Sequence, residues 1–177
     1  MNPAQFIAYV DDFLGTEKQL VGAYDEHIWQ PGRDIGSKCL KLPLEIRGQL
    51  PGHMLFIASY PNSESLQFHI GIIVDATVAR IDFEEGIHGN NLAGFMDDVP
   101  RFADGRPMLI NGPHYHTWEE NKRFVRAPAD LPKLRNAIQL PEHCTDFAST
   151  FLYFCQHNNI DFPTKHTINL PPRTGLF

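Results

Sequence analysis

Apolar residues near the start of the chain recur at helical spacing: Phe6, Ile7, Val10, Phe13 and Leu14. That period predicts an amphipathic helix with one buried stripe. Both ends are marked. Asn2 can cap it, Pro3 falls where a first-turn proline is tolerated, and Gly15 stops it. Thr16 can cap a short second helix through Leu20, Val21 and Tyr24, and residues 30–38, with Pro31, Gly32 and Gly36, read as loop.

From Leu40 the period changes to two. Leu40, Leu42, Leu44 and Ile46 alternate with Lys41, Pro43, Glu45 and Arg47, which predicts a strand, and Pro43 assigns it to a sheet edge. After a turn at 48–52, three more strands are predicted at 54–60, 66–74 and 77–84, joined by short polar loops as an antiparallel meander. Residues 85–106 carry Gly86, Gly89, Gly94, Pro100 and Gly105 and form the longest irregular stretch; loops beyond about 15 residues are usually functional or disordered. Further strands are expected at 109–118 and 124–126 around a turn at 119–122, and 128–141 reads as linker. Thr145 then caps a helix on which Phe147, Phe151, Leu152, Phe154 and Cys155 share a face.

The pattern predicts one α+β domain over 1–177: an N-terminal helical element and edge strand (1–50), an antiparallel sheet of five or six strands (51–127), and a C-terminal helix on one face with a tail (128–177). Its expected core is Phe6, Val10, Phe13, Met54, Phe56, Phe68, Ile70, Phe83, Phe147, Phe151 and Phe154. A length of 177 residues agrees with one domain, and 42% hydrophobic with 20% charged residues excludes a disordered chain. Apolar runs such as 54–58 are far short of the roughly 20 residues of a membrane helix, so no membrane partner is expected. The N-terminus has no basic stretch ahead of an apolar one, which argues against a secretory signal. Cys39, Cys144 and Cys155 make an odd number without a C-x-x-C pair; that fits a reducing cytoplasm better than a disulfide framework. A net charge of −6 argues against a broad surface for duplex DNA. The nine histidines are the one compositional sign of chemistry.

The most pointed segment is Asn111-Gly112-Pro113-His114-Tyr115-His116-Thr117-Trp118. On a strand His114 and His116 project from one face, about 7 Å apart, and Tyr115 from the other. Such a pair can take two positions on a metal or act as general acid and base. Arg80 and Asp82 likewise share a face opposite Ile81 and Phe83, and His88-Gly89-Asn90 follows in the loop. If the strand of Asp82 lies beside that of His114, then Arg80, Asp82, His88, Asn90, His114 and His116 converge on one concave face. His53 and His69 read as satisfied core or edge residues, the cysteines as buried hydrophobes, and Glu84, Glu85, Asp97 and Asp98 as solvated acids.

The ordered set Arg80-x-Asp82-Phe83, His88-x-Asn90 and Gly112-Pro113-His114-x-His116-x-Trp118, with the aromatic stretch 147–155 and Asn159-Ile160, resembles a family of uncharacterised bacterial and phage-associated proteins, over residues 54–160. That resemblance implies an architecture and a candidate pocket but no reaction. The layout of a helix followed by an antiparallel meander is also similar to the ribonuclease superfamily that includes barnase and RelE-type toxins. His114-x-His116-x-x-x-Glu120 is similar to the first metal motif of cupins, without the glycines that flank that motif.

Three functions are expected in turn. The first is toxin-like, metal-independent cleavage of RNA, with His114 and His116 as acid and base and Arg80 stabilising charge on the phosphorane. In it His88 positions the backbone, and Asp82, Asn90 and Trp118 contact the substrate. The alternative is a divalent transition metal held by His114, His116 and either Glu120 or His88. The third is a non-catalytic binding or inhibitor protein of a mobile element, with a protein partner such as an antitoxin. In each of them the histidine pair is expected to face a cleft and to weigh little in stability.

Overall fold

Helix α1 (Pro3–Gly15) starts at a reciprocal cap. The Asn2 carboxamide accepts from the Gln5 N–H and the Gln5 side chain accepts from the Asn2 N–H, both at 2.9 Å. Phe6, Val10 and Phe13 are its buried stripe. The computed structural model describes residues 1–21, 29–90, 109–125, 134–162 and 168–173.

Thr16 ends α1 instead of opening a second helix: its N–H returns to the Asp12 carbonyl. The next residues form strand β1 (Lys18–Leu20), with Lys18 and Leu20 buried and Gln19 exposed. A tertiary demand overrides the expected helix here. The buried Lys18 ammonium donates to the carbonyls of Phe13, Leu14 and Thr16, the orphan acceptors at the C-terminus of α1. Tyr24, placed on that expected helix, lies outside the described residues.

Strands β2 (Gln30–Pro31), β3 (Lys38–Glu45), β4 (Met54–Ser59), β5 (Phe68–Val74) and β6 (Ala76–Phe83) follow. After them come β7 (Ile87–Gly89), β8 (Leu109–Asn111) and β9 (His114–His116), helix α2 (Trp118–Asn121), β10 (Ile138–Gln139), helix α3 (Phe147–His157) and β11 (Ile160–Asp161). The large sheet runs β10-β9-β6-β5-β4-β3-β1-β11, with β2 beside β3. Every pairing in it is antiparallel except that of β1 with β11. β7 and β8 form a separate antiparallel pair. The α+β class, both terminal helices and the meander at 54–84 are as the pattern predicted.

Other expectations need correcting. The strand with Pro43 is interior, between β1 and β4. Pro43 is tolerated because it pairs with Met54 at a position that needs no bond from it toward β4, where Leu44 N–H reaches the His53 carbonyl instead. On its other side its carbonyl accepts from Val21 N–H, and β1 ends there for want of a returning N–H. The expected strand at 109–118 is two strands in different sheets, broken at Gly112, whose φ of +79° suits glycine alone. The expected turn at 119–122 is helix α2, and Phe124 ends a 3-10 turn at Lys122–Phe124; Arg126 lies outside the described residues. The expected linker holds strand β10, and α3 is capped by Asp146 with Ser149, one residue later than expected.

The sheet has two different faces. Leu40, Leu42, Leu44, Leu55, Ile57, Phe68, Ile70, Ile81, Phe83 and Tyr115 line one, joined in one apolar cluster with the stripes of α1 and α3. Phe147 of α3 meets Phe68 edge-on, and Phe154 meets Tyr115. Met54 and Phe56 fall on the opposite, half-covered face of β4, so Leu55 and Ile57 take their expected places in the core. That opposite face also carries His69, Arg80, Asp82, His114 and His116. Phe151, 4% exposed and stacked on Phe147, fixes α3 to the apolar face. Phe151→Ala should cost about 3–5 kcal/mol, read as a lower urea midpoint; an unchanged midpoint would show α3 to be peripheral.

Candidate functional site

The site begins with a pairing. In the antiparallel ladder of β6 and β9, Asp82 stands opposite His114 and Arg80 opposite His116, with Ile81 and Tyr115 turned to the core. The side-chain period of two puts all four polar groups on one face. A third histidine arrives from the smaller sheet. The His88 ring stacks on His114 with centroids 4.5 Å apart and meets His116 edge-on at 4.8 Å; His114 and His116 are 5.0 Å apart. One ring nitrogen from each of the three lies within 4.8 Å of the others.

The His114 and His116 rings are not solvated: their side chains are 5% and 1% exposed, and that of Asp82 6%, so the expectation of a pair facing a cleft is corrected. Each ring has a fixed tautomer because each gives one nitrogen to a backbone carbonyl. His114 Nδ1 donates to Gly112 O at 2.9 Å, His116 Nδ1 to Asn136 O at 3.0 Å, and His88 Nε2 to Arg135 O at 3.2 Å. A carbonyl oxygen only accepts, so those nitrogens carry the protons. In a neutral ring the other nitrogen then bears the lone pair. His116 Nε2 lies 3.3 Å and His114 Nε2 3.6 Å from the same oxygen, Asp82 Oδ2, and His116 Nε2 is buried without a hydrogen bond. Two lone pairs therefore face a carboxylate, and that arrangement calls for a positive charge between them.

Arg80 pairs with the same carboxylate: its Nη2 donates to Oδ2 at 2.6 Å, and its Nε lies 2.6 Å from Oδ1 as an ion-pair contact. Burial pushes the Asp82 carboxyl up, but hydrogen bonds from His114 and His116 in their protonated forms, with the charges of His69 and Arg80, outweigh it and hold it well below the usual carboxylate range. It is ionised at neutral pH. Burial lowers His116 and, with the charges of His116 and His114, lowers His88. His114 moves the other way: burial lowers it, but Asp82 and the Gly112 carbonyl raise it by more.

A second group adjoins the first through Asp82. His69, opposite Asp82 on β5, has Nε2 3.3 Å from Glu84 Oε2 and 3.8 Å from Asp82 Oδ1. His69 and Glu84, read from the sequence as a core or edge histidine and a solvated acid, thus belong to the polar face. For Glu84 the two-residue spacing from Asp82 is the signal in the sequence. Three expected residues do not join the cluster. Trp118 opens α2 and packs on α1, edge-on to Phe6, with its Nε1–H on Asp11 Oδ1 at 2.8 Å. Glu120 is on α2 and, among the described residues, belongs to neither group of metal-ligand type, whereas His88 stands with His114 and His116. Asn90 is buried and binds the backbone of Ala137.

In protein treated with a chelator, stability should fall on acidification. The carboxyl of Asp82 is below its ordinary 3.8, so its contribution is complete above that pH and is lost as pH drops through the lower folded value. His88 and His116 lie below 6.5 in the fold, so protons taken up from 6.5 downward favour the unfolded chain. His114, raised above 6.5, opposes them: its contribution is full below 6.5 and is lost as pH rises through its folded value. The sum predicts a urea midpoint that declines from about pH 6.5 to about pH 4, more shallowly in His116→Ala. A midpoint that climbs over that range would contradict this charge assignment.

No family model matches the chain, and neither a curated protein nor a solved structure matches it.

Proposed function

We propose that this protein binds one divalent transition metal through His88, His114 and His116, with Asp82 as the anionic partner, and that the centre serves hydrolysis. The observation that carries this reading is the set of three carbonyl-fixed tautomers, which leaves a lone-pair nitrogen on every ring. Metal-bound histidines commonly have their second nitrogen held in this way. Ligands about 2.0–2.2 Å from a tetrahedral zinc stand about 3.3–3.6 Å apart; the ring nitrogens of the three histidines lie within 4.8 Å of one another, so binding draws them together, and Asp82 Oδ2 lies 3.3 and 3.6 Å from two of them. Imidazole donors suit zinc, copper, nickel or iron rather than magnesium or calcium. Bound there, such an ion supplies Lewis acidity and a water acidified toward neutral pH. Arg80 anchors Asp82 through both oxygens, which leaves the three imidazoles as the principal donors.

A second reading keeps the expected metal-independent cleavage of RNA. Its support is that Asp82 and burial push His114 and His116 apart, one raised and one lowered, as an acid and a base require. Metal content separates the two. Protein purified without a histidine tag should hold or take up about one equivalent of zinc or cobalt, measured by elemental analysis and titration calorimetry. His88→Ala, His114→Ala and His116→Ala should each abolish stoichiometric uptake, and uptake should weaken steadily below neutral pH. Failure of the wild type to bind either ion would overturn the metal reading, and RNA cleavage that persists in EDTA would favour the second.

A further inference from the structure

We infer that Asn121 and Asn90 are positioning residues for the proposed metal site: Asn121 holds Arg135 and Asn136, whose carbonyls fix two of the rings, and Asn90 holds the adjoining Ala137. The inference rests on the metal reading.

Residues 134–137 belong to no helix or strand, yet Asn136 is 1% exposed and Ala137 is fully buried. Buried backbone groups need partners, and no ladder supplies them here. Two carboxamides do. Asn121, itself fully buried, accepts from Arg135 N–H at 2.7 Å and from Asn136 N–H at 2.9 Å through Oδ1. Its Nδ2 donates to Asn136 O and Thr117 O, each at 2.8 Å. Asn90, 3% exposed, does the same one residue on: Oδ1 accepts from Ala137 N–H at 2.8 Å and Nδ2 donates to Ala137 O at 3.1 Å.

The same short segment returns a carbonyl to two of the three rings, Arg135 O to His88 and Asn136 O to His116. The connections close on themselves. His88 and Asn90 are two residues apart and His116 and Asn121 five apart, so each stretch of chain brings one ring and one clamp to the strut. Asn136 O accepts from His116 and from Asn121 together, which aligns both of its lone pairs. The third ring is an internal contrast, since His114 takes its carbonyl from Gly112 and is independent of the strut.

A carboxamide that only filled space would affect folding and nothing else. A carboxamide that aims a carbonyl sets which nitrogen of His116 carries the proton, and so whether the other can ligate. Asn121→Asp separates the two roles: it keeps the acceptor for both N–H groups but sets a carboxylate oxygen against the Asn136 and Thr117 carbonyls. Asn90→Ala tests the other clamp. Asn158→Ala is the control, because Asn158 is a buried asparagine on the apolar face, bound to Tyr115 Oη and Phe154 O at 2.8 Å.

The measurement is zinc affinity by chelator competition, with the visible spectrum of the cobalt-loaded protein, at a temperature where all variants are folded. Asn121→Asp and Asn90→Ala should bind zinc about 10–100-fold more weakly and alter the cobalt bands, while Asn158→Ala keeps wild-type affinity despite a lower Tm. Wild-type affinity and spectrum in both clamp variants would overturn this inference and leave the metal reading standing. An equal loss of affinity in Asn158→Ala would overturn it too, by showing a general effect of destabilisation. If Asn121→Asp does not fold, Asn90→Ala decides alone. A wild type that binds neither ion removes the metal reading itself.

Discussion

The pairing of β6 with β9 is the constraint on which the site depends, and it spans only Arg80–Asp82 against three residues. A slip of one residue would exchange the faces: the imidazoles would enter the apolar core and Tyr115 would stand among the charges. What prevents the slip lies on the far side of the sheet. Tyr115 is fully covered against the rings of Tyr153, Phe154 and His157 on α3. Packing of the C-terminal helix therefore fixes the register of a strand too short to fix its own, and the polar face inherits that precision.

The polar face is costly to build. Asp82 is ionised and almost fully covered, and a buried carboxylate is stable only when paired and hydrogen-bonded. Arg80 meets part of that need. The remaining contacts, from His114 and His116, are at 3.6 and 3.3 Å, long for hydrogen bonds. Replacing a buried charged group by apolar residues is often neutral or stabilising, so such a cluster adds little to the stability of the fold. A chain that sought stability alone would fill this face with residues like those on the other.

Short-range features of the chain were legible. Period-two alternation placed His114 with His116 and Arg80 with Asp82 on common faces, and turn residues delimited the meander at 54–84. Long-range pairing was not, because β6 and β9 are separated by 30 residues and only the tertiary fold sets them side by side. The carbonyls of Arg135 and Asn136 had no signature at all, since any residue supplies a carbonyl, and the stretch resembled linker. Trp118 and Glu120 were misplaced for a readable reason. Thr117 three residues before Glu120 is the pattern of a helix start, and the Thr117 hydroxyl does accept from Glu120 N–H. The histidine motif drew that segment toward a strand and hid the cap.

The number of rings bears on which chemistry the cluster favours. A general acid and base need two imidazoles in opposite protonation states, with a low cost for moving a proton between them. The third ring raises that cost. Two unit charges 4.5 Å apart repel by about 4 kcal/mol at an effective dielectric near 20. A proton on His114 therefore disfavours one on His88, and one on His116 disfavours both. Asp82 can draw a single proton toward His114, but burial and mutual repulsion keep His88 and His116 neutral. Neutral imidazole is the form that binds a metal. Three rings with fixed tautomers around one carboxylate are suited to receiving a cation, and an acid–base pair would gain nothing from the third.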